Sequence, residues 1–465
     1  MAQATPMASQ AKSINPANGE TIATYTFDTS VQVIDTLEQS FQAQRQWRDV
    51  AVSDRALTLR KIGQAIREHG EEMAQMMTRE MGKPIAQARG EVAKSANLCD
   101  WYAEHGPAML ATKPTMVENR QAVLEYRPLG VILGIMPWNF PLWQVMRGAV
   151  PMLLAGNTYV LKHAPNVMGS AYLIEKILNS AGLIKGAFAV VNATNDDVAT
   201  VIADDRLAAV AFTGSVRAGK VIGALAGAAL KKSVLELGGS DPFIVLADAD
   251  IDEAVRAAVI GRYQNNGQVC AAAKRFIVES SIAQEFTDKF VAAVTALKMG
   301  DPTQEENYVG PMARFDLRDE LDQQVQATIK QGATVLAGGK PLQGEGNYYE
   351  PTVLANVTPD MTAFREEMFG PVAAIAIAEN AQHAIQLAND SEFGLCATLY
   401  SGNEVYAEEL AAQLECGGVF INGFCASDPR VTFGGVKKSG YGRELSDHGM
   451  YEFCNVQTVW KNRKG

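Results

Sequence analysis

Cys270 lies in a stretch of small and amide side chains that could support a nucleophilic thiol. Gly267 precedes it by three residues, and three alanines, 271–273, follow it. A thiol that attacks a substrate carbon needs space for that carbon and N–H donors for the charge that develops on its oxygen. If Cys270 opens a helix, its backbone N–H supplies one donor and lowers the thiol pKa. The alternative is a buried, unreactive cysteine, which is the usual state of a free thiol.

Two further stretches contain side chains that could assist such a thiol. Glu236 ends an apolar run, where a carboxylate is either paired or has the raised pKa that suits a general base near neutral pH. Asn139 lies between Pro137 and Pro141, which stiffen the backbone around it. An amide N–H held in one direction can stabilise an oxyanion. The three side chains together predict attack on a carbonyl carbon.

These stretches and three others resemble motifs of the aldehyde dehydrogenase superfamily. The motifs are MPWNFP at 136–141, FTGS at 212–215, LELGG at 235–239, GQVC at 267–270, EEMFGP at 366–371 and FGGVKKSGYGRE at 433–444. They occur in the order typical of the family and span nearly the whole chain. Within the superfamily, the chain is most similar to bacterial NAD(P)-dependent succinate-semialdehyde dehydrogenases.

The resemblance implies NAD(P)-dependent oxidation of an aldehyde to a carboxylic acid, most specifically of succinate semialdehyde to succinate. Cys270 would attack the aldehyde and form a thiohemiacetal, whose oxyanion Asn139 and the Cys270 N–H would hold. Loss of hydride would leave a thioester. Glu236 would then activate the water that hydrolyses this thioester.

The resemblance also implies a dinucleotide cofactor. The position three residues after Lys162 is often Glu in NAD-preferring members, and it is Pro165 here. A carboxylate at this position repels a 2′-phosphate, whereas proline does not. The expected cofactor is therefore NAD, with NADP as the alternative. The residues expected to bind it are Trp138, Lys162, Gly214, Ser215, Gly238, Glu367 and Phe369.

Four residues are candidates for binding the carboxylate of a semialdehyde acid. Arg147 matches a carboxylate-binding arginine of succinate-semialdehyde dehydrogenases, although it could instead be solvent-facing or ion-paired. Gln264 replaces a second arginine of those enzymes. Ser427 lies near a serine that helps to hold the carboxylate, and Arg430 is a candidate to replace the missing charge.

Three other functions compete with this interpretation. The first is a broader aliphatic or aromatic aldehyde dehydrogenase, which Trp143 in the pocket wall would favour and Arg147 would disfavour. The second is a cysteine hydrolase or acyltransferase that uses no nicotinamide. The third is a non-catalytic relative, which typically lacks the nucleophile.

Composition narrows the class of protein and its expected partners. The length of 465 residues and hydrophobic fraction of 47% predict a globular protein of two or three domains. Its net charge of −11 disfavours binding to nucleic acid or an anionic membrane. The N-terminus has no apolar secretion signal, and Pro137, Pro141 and Arg147 interrupt the most apolar window. Six cysteines without CxxC spacing and five scattered histidines predict a cytoplasmic protein with free thiols and no metal.

The elements that must position these residues alternate between short apolar strands and helices from about residue 129 onward, which is typical of parallel sheets. The predicted fold class is α/β and aldehyde dehydrogenase-like. It has two α/β domains and a small β oligomerisation arm. The predicted units are a Rossmann-like dinucleotide-binding domain (1–113 and 129–238), a catalytic domain (239–440), and an arm and tail (114–128 and 441–465). The resemblance implies that the arm pairs with the tail of a neighbouring subunit in a homodimer or homotetramer.

Overall fold

The computed structural model describes residues 10–117 and 120–461. Residues 1–9 of the predicted cofactor domain, 118–119 of the predicted arm and 462–465 of the predicted tail lie outside the described residues. Within the described ranges, no helix is both long enough and apolar enough to traverse a lipid bilayer.

The described chain begins with an antiparallel strand pair followed by four helices. The elements are β1 (Gln10–Ile14), β2 (Thr21–Thr26), α1 (Ser30–Trp47), α2 (Val52–Glu68), α3 (Gly70–Met81) and α4 (Ile85–Met109). Apolar side chains at three- and four-residue spacing, such as Leu59, Ile62 and Ile66 of α2, give these helices a buried face. The helix α3 ends at Gly82, which has the left-handed φ of 75° common at helix C-termini.

Two arm strands then precede the first alternating series of strands and helices. The elements are β3 (Lys113–Val117), β4 (Arg120–Pro128), β5 (Val131–Ile135), α5 (Trp143–Ala155), β6 (Thr158–Lys162), α6 (Met168–Ser180), β7 (Phe188–Val190), α7 (Asn195–Ala203), β8 (Leu207–Thr213), α8 (Val216–Ala228) and β9 (Lys232–Glu236). The strands β5 and β6 are almost continuously apolar and buried on both faces. Such strands are typical of a parallel sheet covered by helices on both sides.

A second alternating series and a C-terminal segment complete the chain. The elements are β10 (Asp241–Val245), α9 (Ile251–Tyr263), β11 (Ala273–Glu279), α10 (Ala283–Thr295), α11 (Phe315–Lys330), β12 (Thr334–Ala337), β13 (Thr352–Ala355), α12 (Thr362–Arg365), β14 (Val372–Ala378), α13 (Ala381–Asn389), β15 (Phe393–Gly394), β16 (Cys396–Tyr400), α14 (Glu404–Ala411), β17 (Gly418–Ile421), β18 (Val436–Lys437), β19 (Gly440–Tyr441), α15 (Ser446–Tyr451) and β20 (Cys454–Lys461).

The two series form two separate sheets, which confirms the predicted α/β class. The first sheet has the order β19-β9-β8-β5-β6-β7, and the second has the order β12-β13-β14-β11-β10-β16-β17. Each sheet is parallel apart from one antiparallel edge strand, β19 or β12. The predicted boundary at 238/239 falls between β9 and β10, although the division into domains stays a prediction.

The predicted pairing of the arm requires a correction. The strand β20 pairs antiparallel with β4 of the same chain, from Cys454 opposite Pro128 to Lys461 opposite Gln121, and β3 completes a three-stranded sheet. The helix α15 contacts both α5 and β20 and so links the tail strand to the first α/β unit. Because the partner strand is already in the chain, β4 does not need a tail from another subunit.

The segment before Cys270 makes a close backbone contact with the loop between α12 and β14. Gly267 ends a 3₁₀ turn (Gln264–Gly267) with a φ of 72°, and a Cβ there would collide with the Gly370 carbonyl. Arg262 Nη2 donates to the Gly267 carbonyl at 2.7 Å and also to the Gly370 carbonyl. The glycine of the GQVC motif is therefore required by both its conformation and its contact.

We expect Gly267→Ala to destabilise the fold by at least about 1–3 kcal/mol, the usual cost of a strained backbone conformation. Urea unfolding measures this change. Gly90→Ala is the matched control, because Gly90 lies within α4 with no atom within 4 Å of its added Cβ. Equal stability of the two variants would contradict the strain argument.

Candidate active site

The three predicted catalytic residues come from the facing edges of the two sheets. Asn139 follows β5 and Glu236 ends β9, both at the carboxyl edge of the first sheet, whereas Cys270 precedes β11 at the amino edge of the second. Gly239 lies between them, and a Cβ added there would be 3.1 Å from the Cys270 carbonyl oxygen. The absence of this side chain lets the two edges meet.

The structure corrects the expectation that Cys270 opens a helix. Cys270 lies in a turn before β11, half-buried, with no helix to act on its thiol. Burial raises the pKa of the thiol to about 12, against the effect of the cations Arg147 and Lys274. Since a helix terminus does not lower this pKa, a proton acceptor is needed to form the thiolate.

A buried lysine fixes the turn that carries the thiol. Lys274 Nζ donates to the Cys270 carbonyl at 2.6 Å and to the Val269 carbonyl at 3.1 Å, and it pairs with Glu367 Oε1 at 3.2 Å. No motif identified this role from the sequence. The available signal was a basic residue at the start of an apolar strand directly after the candidate nucleophile.

Glu236 has the environment expected of a general base. Its side chain is buried, and neither carboxylate oxygen has a hydrogen-bond partner among the described residues. Burial raises the pKa of this carboxyl well above its usual range, and Glu444 adds to the rise while Arg147 and Arg443 oppose it. A carboxylate in this state can accept a proton near neutral pH.

Asn139 is held on both its backbone and its side chain. Asn265 Nδ2 donates to the Asn139 carbonyl at 2.7 Å, and Asn139 Nδ2 donates to the Gln268 carbonyl at 3.0 Å. An amide has two N–H groups, so the second remains available for an oxyanion. Among the described hydrogen bonds, none uses the Cys270 N–H, which leaves it available as a second donor.

Arg147 is in the ion-paired state that was one of its two alternatives. It is fully buried on α5, pairs with Glu444 through Nε, and lies over the Phe433 ring at 4.8 Å. The pair neutralises the arginine charge close to Glu236 and Cys270. Arg147 lowers the pKa of both groups, whereas Glu444 raises the pKa of Glu236. Arg147 therefore has a carboxylate partner before any substrate binds.

The other three predicted substrate residues have different surroundings from one another. Gln264 is exposed, and Arg430 is an exposed side chain bound by Asp428 through two hydrogen bonds of 2.7 and 2.8 Å. Arg430 therefore already has a local carboxylate partner, and its role as a replacement for the missing charge stays a prediction. Ser427 Oγ instead accepts a hydrogen bond of 2.9 Å from Lys94 Nζ, a residue with no motif in the sequence.

The predicted cofactor residues after β6 and β8 offer a free cation and a helix start. Lys162 ends β6, burial lowers its pKa, and it makes no ion pair within residues 10–117 and 120–461. Ser215 caps α8 and accepts from the Ala218 N–H, directly after Gly214. Lys162 and the start of α8 both lie at the carboxyl edge of the first sheet, with β5 between their strands. A cation and the free N–H groups of a helix start at one sheet edge suit the ribose and phosphates of a dinucleotide.

The remaining cofactor candidates form two contacts, one between Glu367 and the Gly238–Gly239 backbone and one between Trp138 and Phe369. Glu367 accepts from the Gly239 N–H at 3.1 Å, and its carboxylate occupies the space where Gly238 would have a Cβ. The Trp138 and Phe369 rings meet edge to face with centroids 5.8 Å apart. These residues could hold a nicotinamide ribose beside the thiol.

Comparison with known proteins identifies the family. The sequence profile of the aldehyde dehydrogenase family matches residues 4–459. The chain belongs to this family. It is 67% identical over 456 residues to the succinate semialdehyde dehydrogenase (NAD(P)+) Sad of Escherichia coli K12, covering 98% of this chain and 99% of that protein. It is also 45% identical to succinate-semialdehyde dehydrogenase (NADP(+)) 1 of Mycobacterium ulcerans, covering 96% and 98%.

Solved structures confirm the aldehyde dehydrogenase fold. Gox0499 superposes with a TM-score of 0.96 at 40% identity, covering 98% of this chain and all of that one. The succinic semialdehyde dehydrogenase of Streptococcus pyogenes, in complex with NADP+, superposes with a TM-score of 0.95 at 35% identity, covering 97% of this chain and 100% of that one.

We expect Glu236→Gln to slow the burst of NADH and to lower steady-state turnover far more, because the amide can neither accept the thiol proton nor activate water for thioester hydrolysis. In the wild type, turnover should rise with pH above the ordinary range of glutamate, since the base form appears only above the raised pKa. Rapid-mixing absorbance and a pH profile measure both effects.

Glu366→Gln is the matched control for this substitution, because Glu366 is an exposed neighbour in the EEMFGP motif. It should keep both the burst and the pH profile of the wild type. A slow burst without a plateau in Glu236→Gln would contradict the hydrolytic role.

Proposed function

We propose that this aldehyde dehydrogenase oxidises succinate semialdehyde to succinate, with NAD or NADP as the hydride acceptor. The observation that carries this proposal is Lys94, a partly buried cation that makes no ion pair among the described residues and donates to Ser427 Oγ. The E. coli relative, at 67% identity, is named for the same substrate.

The Lys94 ammonium has no carboxylate within ion-pair distance in the part of the chain that the structure describes, although Glu91 and Asp428 act on it from further away. It projects from α4, and its Nζ lies 2.9 Å from Ser427 Oγ and 4.1 Å from the centre of the Trp143 ring. It makes no ion pair among the described residues, in contrast to Arg147 and Arg430. Burial and the nearby Arg147 lower its pKa to about 8, so it is mostly protonated at neutral pH.

A lysine in this state suits a carboxylate at the far end of an aldehyde. Partial burial strengthens the attraction, because water screens the two charges less than it does at the surface. The Ser427 hydroxyl next to it can donate a second hydrogen bond. The Trp143 ring lies against the Lys94 ammonium. The presence of Trp143 in this wall is therefore compatible with a charged substrate.

We propose the following roles for the catalytic side chains. Glu236 accepts the thiol proton of Cys270, and the thiolate forms a carbon–sulfur bond to the aldehyde. The Asn139 amide and the Cys270 N–H donate to the resulting oxyanion. A bound nicotinamide would supply the hydride acceptor. Glu236 releases the thiol proton to solvent and, as a carboxylate again, deprotonates the water that cleaves the thioester, which frees succinate and the Cys270 thiolate.

The proposed cofactor site consists of Lys162, Gly214 and Ser215 on one side and Glu367, Gly238, Trp138 and Phe369 on the other. Lys162 supports use of either cofactor, since a buried cation can donate to ribose hydroxyls or to a 2′-phosphate. Pro165, at the first position of the 3₁₀ turn Pro165–Val167, carries no charge to repel that phosphate.

We further propose a cytoplasmic homo-oligomer. The outer edge of β20 presents Val456 at 48% and Trp460 at 46% exposure. An apolar edge strand of this kind is suited to pairing with another subunit. All six cysteines are free thiols, as expected in a reducing compartment.

We expect Lys94→Met to raise KM for succinate semialdehyde by about tenfold or more, the cost of one charge-assisted hydrogen bond of about 1.5–3 kcal/mol. KM for butanal should change little, because butanal has no carboxylate. Lys61→Met, at an exposed position on α2, is the control. Parallel assays with glutarate semialdehyde and benzaldehyde test the alternative, a broader aldehyde dehydrogenase. An equal rise in KM for all four substrates would favour that alternative.

We expect Lys162→Met to raise KM for NADP by about tenfold or more, and for NAD by less, since a phosphate forms the stronger charge-assisted bond. Steady-state titration of each cofactor at saturating aldehyde measures the two values. Lys185→Met, at an exposed position, should change neither. Equal effects on the two cofactors would show that Lys162 does not contact the 2′-phosphate.

A further inference from the structure

A second group of thiols lies behind the catalytic turn. Cys396 begins β16, Cys425 follows β17, and Asp241 begins β10, so three separate chain segments converge there. One carboxylate oxygen and the two sulfur atoms all lie within 4.8 Å of one another. None of these residues has a role in the proposed reaction.

The carboxylate in this group lacks adequate partners. Asp241 is 4% exposed and burial raises its pKa to about 7. The Cys396 N–H faces it and lowers the pKa, yet neither oxygen makes a hydrogen bond of normal geometry among the described residues. The Ser240 hydroxyl beside it is also buried without a partner. Buried polar groups of this kind usually have an ordered ligand.

A small cavity adjoins two of the three groups. It has a volume of about 10 Å³, and Ser240, Asp241, Cys396 and Cys416 are among the residues that line it, whereas Cys425 is not. This volume is about that of one water-sized sphere. The cavity therefore has space for a single ion beside Asp241 and Cys396, and Cys425 would approach such an ion from outside the cavity.

We propose that Asp241, Cys396 and Cys425 bind a soft divalent cation of the Zn²⁺ class. Thiolate and carboxylate ligands in a tetrahedral arrangement are typical of zinc, at about 2.3 Å for sulfur and 2.0–2.2 Å for oxygen. Such bonds place the ligand atoms about 3.5–3.8 Å apart. The three ligands therefore need to close by no more than about 1 Å.

The surrounding groups support a charged site. Two thiolates and a carboxylate carry three negative charges, of which a divalent ion neutralises two. The buried Arg275 guanidinium, which lines the same cavity and lowers the pKa of Asp241, compensates the third. The Cys416 thiol donates to the Gly418 carbonyl, which leaves the fourth position to water. On binding, each thiol gives its proton to solvent and no electron is transferred.

Sequence spacing could not reveal this site, and the sequence led us to expect no metal. Its three ligands are separated by long stretches of chain and include no histidine. They meet only because β10 and β16 are neighbours in the second sheet and β17 follows β16.

An ion at this site would affect the reaction without touching Cys270. A Cβ at Gly239 would lie 2.8 Å from Asp241 Oδ1 and 3.1 Å from the Cys270 carbonyl, so the ligand and the catalytic turn flank one glycine. Cys425 is two residues before Ser427, which contacts Lys94. We expect Zn²⁺ to hold this loop against the sheet and to lower turnover.

The test measures binding in a protein that lacks the catalytic thiol. Cys270→Ala enzyme is reduced with a phosphine, dialysed against Zn²⁺ and assayed for bound metal, and Co²⁺ substitution reports thiolate ligation by its near-ultraviolet absorption. We expect one equivalent of zinc in Cys270→Ala. Adding Cys99→Ser, at a buried thiol of α4, should not change the amount of bound zinc. Adding Cys425→Ser or Cys396→Ser should abolish zinc binding.

Two results would overturn the proposal. One is the absence of bound zinc in the Cys270→Ala single variant, which would assign zinc binding to the nucleophile. The other is retention of zinc in both serine variants. Thermal unfolding of each variant identifies a loss of binding that is caused by misfolding. We expect Cys425→Ser to fold normally, because Cys425 is only half-buried. Because binding is measured without substrate, its outcome is independent of the proposed aldehyde.

Activity provides a separate readout in enzyme that retains Cys270. Zn²⁺ should lower kcat in the wild type and in Cys99→Ser, while Cys425→Ser should resist it. Inhibition that is equal in all three would place the inhibitory ion at Cys270 and contradict the proposed consequence. Titration of six free thiols in denaturant excludes a Cys396–Cys425 disulfide as the cause of reduced binding.

Discussion

The close backbone packing around Gly238 and Gly239 is the constraint on which the site depends. The Glu367 carboxylate fills the position of the missing Gly238 side chain, and the Cys270 carbonyl and Asp241 carboxylate flank Gly239. Any side chain at these two positions would separate the carboxyl edge of one sheet from the amino edge of the other. The proposed base, nucleophile and cofactor contact would then no longer share one space.

Buried charges around this point divide into two classes. Arg147 with Glu444, and Lys274 with Glu367, are paired within the chain, and each pair holds backbone or side chains close to Cys270. Glu236, Lys94 and Lys162 make no ion pair among the described residues. Burial of an unpaired ionisable group costs free energy, so such groups persist most often where a proton, substrate or cofactor supplies the partner. Their positions match the proposed base, carboxylate site and cofactor site.

The two sheets contribute to the site in different ways. The first presents residues that follow the carboxyl ends of β5, β6, β8 and β9, where parallel sheets usually bind ligands. The second presents the turn before β11 and the start of β10, at its amino edge. Cys270 lies in a turn there and does not begin a helix, and so we expect its ionisation to depend on Glu236 and on nearby cations.

The sequence by itself determined the family, the α/β class and the positions of Cys270, Glu236 and Asn139, because short motifs and strand–helix alternation are properties of neighbouring residues. Only the tertiary structure decided which charges are neutralised. It paired Arg147 with Glu444 and Arg430 with Asp428, and it left Lys94 free beside Ser427. It also placed Cys270 in a turn and paired β4 with β20 of the same chain. The Arg147–Glu444 pair, the Lys94–Ser427 bond and the pairing of β4 with β20 depend on which distant segments become neighbours, and the spacing of residues along the chain does not record that.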